Sequence, residues 1–168
     1  MNQHSPSFWN YACQVYQRPG VESCLLSLQN QYGLVINHLL VIAWLDGQGR
    51  TLSWGSLVLA EQQSGVLSRL ISPLRGYRMQ SKAQVEDCIY QQLKALELDA
   101  ERLHIDWLEG YCQQHAVPNC RPDSGRAGVE QGVRDYLSAI DLTRVDAASD
   151  KDEVLCSLIK DFSCSVTG

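Results

Sequence analysis

"YGLVINHLLVIAWL", residues 32–45, is the most apolar stretch of this 168-residue chain, and Asn37 and His38 interrupt it at its middle. The run shows no strand-like alternation. Wound as a helix over residues 34–45, it is apolar on almost every side, so other helices must enclose it. Its length is well short of the roughly 20 residues that span a bilayer. The expectation is an all-α, single-domain helical bundle with this helix buried at its centre. Asn37 lies in phase with Leu34, Val41, Trp44 and Leu45. A carboxamide on that side must satisfy its donors and acceptor, so it is expected to be a buried clamp reaching the chain near Trp9 or the turn at Pro19. His38 is rotated by about 100° from it, beside Ile42 and Leu45, and is expected at the bundle edge, partly exposed and without a metal.

Helical periodicity continues on both sides of this run, with no persuasive strand pattern. Ser5-Pro6 reads as a cap and first turn for a helix to about Gln17, with Phe8, Trp9, Ala12 and Tyr16 on its apolar side. Pro19 opens a second helix, ended by Gly33, and "DGQG" at 46–49 stops the central one. A short helix follows over about Ser53–Gln63, and Ser72-Pro73 marks a restart or kink. Val85, Ile89, Leu93, Leu96, Ala100, Leu103, Trp107 and Tyr111 then form one unbroken stripe. They predict a single long helix over about 83–114, roughly 45–50 Å in length. The Pro- and Gly-bearing stretch 116–128 reads as a linker after a bundle at 5–115. Two amphipathic helices in 129–163 are expected to dock on that bundle, the second with an approximate cap at Ser149 and Asp152.

Charge divides unevenly along the chain. Residues 1–82 carry six basic and three acidic side chains, residues 83–168 eight and sixteen, for an overall net charge of −5. This balance gives no reason to expect nucleic-acid binding. The seven cysteines show no paired spacing, the N-terminus lacks a signal-peptide pattern, and a cytoplasmic protein with reduced thiols is the economical reading. Cys112, His115 and Cys120 are weak metal candidates, because a fourth structural ligand is missing nearby. No metal site or cofactor is therefore expected. Arg75, Arg78 and Lys82 share one helix face, and Arg78 falls on its apolar side. It needs a carboxylate there, with Glu86, Asp87, Asp106 and Glu109 as internal choices, or an anionic partner.

The run "FWNYACQVYQRPGVESCLLSLQNQYGLVINHLLVIAWL" with "SPLRGYRMQSK" resembles a family of proteobacterial helical proteins of unknown function. The resemblance rests on Phe8-Trp9, Tyr16, Pro19-Gly20-Val21, Cys24-Leu25, Leu28-Gln29, Gly33, Asn37, Leu39-Leu40 and Trp44, then Pro73-Leu74-Arg75, Arg78 and Lys82. It covers about residues 5–112. Val35 and Val41 stand where relatives often carry Asp and Phe. The family lends no activity, although some members lie beside genes for translation-associated ATPases, which implies a protein partner.

Catalytic motifs are absent: no G-x-S-x-G, H-E-x-x-H or glycine-rich phosphate loop occurs. Two readings compete. The first is a non-enzymatic interaction module that meets a protein partner through a basic or amphipathic face, with no membrane or nucleic acid and no specified oligomeric state. The second is a small-molecule site or enzyme centred on Trp9, Asn37, Trp44 and Arg78. Convergence of those four side chains on one pocket is the feature that separates them.

Overall fold

The computed structural model describes residues 7–64, 67–119, 125–140 and 149–167. The expected cap at Ser5-Pro6, Cys120, and the side chains of Ser149 and Asp152 lie outside the described parts. Within them the chain forms eight helices: α1 (Phe8–Tyr16), α2 (Val21–Tyr32), α3 (Ile36–Asp46), α4 (Trp54–Ser64), α5 (Leu67–Ser81), α6 (Asp87–His115), α7 (Arg126–Ile140) and α8 (Ser149–Thr167). None is long and apolar enough to cross a membrane.

The all-α bundle is as the sequence dictates. In α3 every residue except Asn37 is buried, and the helix packs against α1, α2, α6, α7 and α8. Gly20 and Gly33 bracket α2 at φ 83° and 69°, a left-handed conformation that glycine adopts without steric cost. α1 begins at Phe8, with Ser7 as its cap; the Ser7 hydroxyl accepts from the Asn10 N–H at 3.4 Å. Glu109 of α6 accepts the Phe8 N–H at 3.0 Å, placing a carboxylate at the α1 N-terminus.

Three local expectations are corrected. A two-residue antiparallel pair, β1 (Arg50–Thr51) with β2 (Val117–Pro118), joins the turn after α3 to the segment after α6. Two residues are too short to show alternation. α5 runs through Pro73 with no restart. α6 is one helix but starts at Asp87, because Glu86 is extended and residues 82–84 form a turn.

The fourth correction bears on function. The apolar stripe of α6 is only in part its buried face: Ala100 is buried and Trp107 and Tyr111 pack half-buried on the core, but the rest of the stripe does not follow. Ile89, Leu96 and Leu103 are exposed, whereas Glu97, Ala100, His104, Ile105, Leu108 and Cys112 are buried. Polar residues hold that inner face because arginines from α5 pair with Glu97, while Asn37 of α3 and Glu61 of α4 hydrogen-bond to His104.

α7 buries Val129, Val133 and Tyr136 against α3 and α4. α8 buries Ile159, Phe162 and Val166 and packs on α2 and α7. Arg18, between α1 and α2, donates to the carbonyls of Val166 (2.8 Å) and Ser165 (3.3 Å), tying down the end of α8.

Candidate functional site

Elements α1, α2, α3, α5 and α6 surround a cleft of about 870 Å³. Its apolar wall includes Trp9, Leu34, Leu40 and Ile105; its polar groups include Asn37, Arg75, Glu101 and His104. Trp9 is half-buried, with the Arg102 guanidinium 5.3 Å from its ring centroid. Of the four side chains whose convergence would favour a small-molecule site, Trp9 and Asn37 line the cleft. Trp44 instead packs its ring 5.2 Å from that of Phe8 and is buried, and Arg78 does not line the cleft but binds Glu97 and Tyr90.

The basic face is turned inward. Arg75 donates from Nε to Glu97 at 2.8 Å, from Nη1 to Gln29 at 2.9 Å and from Nη2 to Glu101 at 2.5 Å. Arg78 donates to both Glu97 oxygens and, at 3.0 Å, to the Tyr90 hydroxyl. The partner is thus Glu97, not Glu86, Asp87, Asp106 or Glu109. The sequence missed it because Glu97 sits between leucines on what looks like an apolar stretch. Burial would raise the Glu97 carboxyl, but the hydrogen bonds from Arg78 and Arg75 outweigh it and hold it below the usual range. Lys82 is exposed in the turn beyond α5.

A buried polar chain runs from the cleft into the core. Asn37 Nδ2 donates to His104 Nδ1 at 3.1 Å, so in this orientation His104 carries its proton on Nε2, 2.5 Å from Glu61 Oε1. The other carboxylate oxygen lies 3.1 Å from His38 Nε2, and His38 Nδ1 meets the Tyr136 hydroxyl at 2.8 Å. That second ring stands edge-on to Tyr136. Four helices, α6, α4, α3 and α7, therefore meet through five side chains. Burial would raise the Glu61 carboxyl, but the hydrogen bond from His104 and the close polar contact of His38, with the electrostatic influence of both, bring it down to about 2. Burial likewise pushes the Tyr136 hydroxyl well above its ordinary value.

His38 is 1% exposed, so the expected edge position is wrong. The flank it shares with Ile42 and Leu45 is covered by α7, which sequence periodicity could not place. Asn37 is half-buried on the cleft wall and reaches a side chain of α6 rather than backbone near Trp9 or Pro19. The sequence offered no signal for His38, Glu61 and His104 as a group, because they lie 23 and 43 residues apart.

Cys112 is buried and its thiol is pushed up to about 12, mainly by burial. His115 is exposed, stacks on Tyr111 at 4.2 Å and directs Nδ1 to the Tyr111 carbonyl. Of these weak metal candidates one is thus buried and the other exposed, and Cys120 lies outside the described residues.

Comparison with curated proteins and with solved structures finds no match for this chain. A family model does: residues 7–108 match the family described as "Protein of unknown function (DUF2390)", and the chain belongs to that family. The matched segment takes in Asn37, His38, Glu61, Arg75, Glu97 and His104; Tyr136 lies beyond it.

Proposed function

We propose that this member of the DUF2390 family is a small-molecule-binding protein whose site is the cleft between α1, α2, α3, α5 and α6. The observation that carries this reading is a space of about 870 Å³ into which Trp9, Asn37, Arg75, Glu101 and His104 all face. Its size lies within the range of small-molecule sites, as does its pairing of apolar walls with few polar groups. A free anion is not the matching ligand, because the Arg75 guanidinium is already engaged by Glu97, Gln29 and Glu101. The lining suits a molecule with an apolar body and a polar end that both donates and accepts. The six described cysteines are free thiols, which fits a reducing, cytoplasmic setting.

Gly76 supplies the test. It lines the cleft from α5, and a Cβ added there meets no atom within 4 Å. Gly76→Phe should fill the cleft without strain and leave folding intact. Native mass spectrometry of the purified protein, followed by a thermal-shift screen of small molecules, should find ligands that bind the parent and not the variant. Equal binding to both would remove the cleft from the reading.

A protein-interaction role is the second reading, and one observation favours it. Ile89, Leu96 and Leu103 recur every seven residues along α6 and are exposed. Such a row suits a partner helix. With Arg75 and Arg78 paired internally, that contact would be apolar rather than basic. Capture of a partner that survives high salt and is lost in Leu96→Lys would support it; capture that salt abolishes would not.

A further inference from the structure

His38 on α3, Glu61 on α4 and His104 on α6 bring two imidazoles and a carboxylate to one point among three helices, their ligand atoms within 4.8 Å of one another. We propose that these side chains bind a divalent first-row transition-metal ion. This goes beyond the ligand-binding reading and does not depend on it, although His104 borders the cleft as well.

Three observations carry the site. Both rings turn the same atom, Nε2, toward the Glu61 carboxylate. Each ring is gripped at its other nitrogen, His38 by the Tyr136 hydroxyl and His104 by the Asn37 amide. Outer partners of that kind fix ring orientation at histidine metal sites. Finally, His38 Nε2 is buried and lacks an aligned hydrogen bond, even though the carboxylate stands 3.1 Å away. A buried nitrogen left without a proper partner is costly, and an ion between the three groups would satisfy it.

The donor set names the class of ion. Two imidazoles disfavour magnesium and calcium, which take oxygen ligands, and suit zinc, iron or cobalt. Three protein ligands leave coordination positions for water or a small molecule. Tetrahedral coordination at metal–ligand distances near 2.1 Å needs ligand atoms about 3.4 Å apart, so the histidine–glutamate contacts, now 3.1 and 2.5 Å, would open by roughly 0.3 and 0.9 Å as the ion enters between them.

Protons balance within the site. To ligate through Nε2, His104 gives up its proton there and carries one on Nδ1; the Asn37 amide, turned over, accepts it through Oδ1. The Tyr136 hydroxyl can donate or accept, and so serves either form of His38.

The test uses the full chain, stripped with a chelator and titrated with Co(II), then Zn(II), and anaerobically with Fe(II). One equivalent of Co(II) should bind with visible d–d absorption, Zn(II) should displace it, and either ion should raise the melting temperature. Glu61→Gln and His104→Gln should each weaken Co(II) binding at least tenfold. His115→Ala should leave binding unchanged. Helical circular dichroism confirms that each variant is folded, and either folded ligand variant suffices. The proposal fails if the parent takes up none of these ions at about 100 µM. It fails equally if a folded Glu61 or His104 variant binds as the parent does, or if His115→Ala abolishes binding.

Discussion

Asn37 stands where the cleft meets the polar core. Its amide donates to His104, and His104 in turn donates to Glu61, so one short side chain sets the orientation of an imidazole on another helix. Asn37→Leu keeps the volume but leaves His104 Nδ1 facing hydrocarbon. The cost should be about 1–3 kcal/mol by denaturant unfolding, the range for a buried acceptor left unpaired. A stability equal to the parent's would show that His104 finds another donor, such as cleft water. Sequence phase placed Asn37 on a buried side of α3, but it is half-buried and lines the cleft. Phase could not tell which helix that side faces, because the amide's partner lies 67 residues away. His38 was misread for the complementary reason. Its flank of α3 is apolar enough to be covered, but only the placement of α7 decides that it is, and Tyr136 brings the hydroxyl that makes burial of an imidazole tolerable.

At the scale of elements, the α5–α6 hairpin is held by an unusual centre: one buried glutamate facing two arginines. Glu97 is 5% exposed and accepts from Arg75 and Arg78, while Glu101, Gln29 and Tyr90 take up the remaining guanidinium groups. The two sides of this centre are not equivalent. Glu97→Gln leaves two cations without their shared counter-charge and should cost about 3 kcal/mol or more, the range for breaking a buried pair. Arg78→Met leaves Glu97 still paired with Arg75 at 2.8 Å and should cost less, about 1 kcal/mol. Urea unfolding of both variants checks the order; a larger loss for Arg78→Met would reverse the assignment. The acid limb follows from the same contact. The folded Glu97 pKa is held below its unfolded value, so the contact adds stability above about pH 4.3 and loses it as the pH falls through the folded value. Unfolding followed from pH 6 to pH 2 should therefore show a shallower limb in Glu97→Gln than in the parent. This centre also explains why the α6 stripe misled. Hydrophobic periodicity assumes that the buried face is the apolar one, and here the buried face carries Glu97 and His104 while Leu96 and Leu103 look outward.

The whole molecule is organised around α3, and that was legible, because a helix apolar on every side admits few other positions. What the sequence could not show is how closely α7 approaches it. A methyl group added at Gly132 would lie 2.6 Å from Ile42 Cγ2, on a stiff, β-branched residue that is 2% exposed. Gly132→Ala should thus destabilise by about 1–2 kcal/mol, since overpacking outweighs the better helix propensity of alanine. Any stabilisation measured by thermal unfolding would mean that α7 can shift. The same packing bears on whether the chain is one cooperative domain or a bundle with a detachable C-terminus. We propose one domain: Phe162 of α8 and Phe8 of α1 are both fully buried and belong to one continuous core, and Arg18 ties the end of α8 to the start of α2. If so, Phe162→Ala and Phe8→Ala should each lower stability by about 3–5 kcal/mol and move the same single transition. Helical signal and tryptophan fluorescence report different regions, since all four tryptophans precede residue 108. Their coincidence in Phe162→Ala supports the single domain. Loss of helix in that variant ahead of an unmoved fluorescence transition would separate the C-terminal helices as a unit of their own.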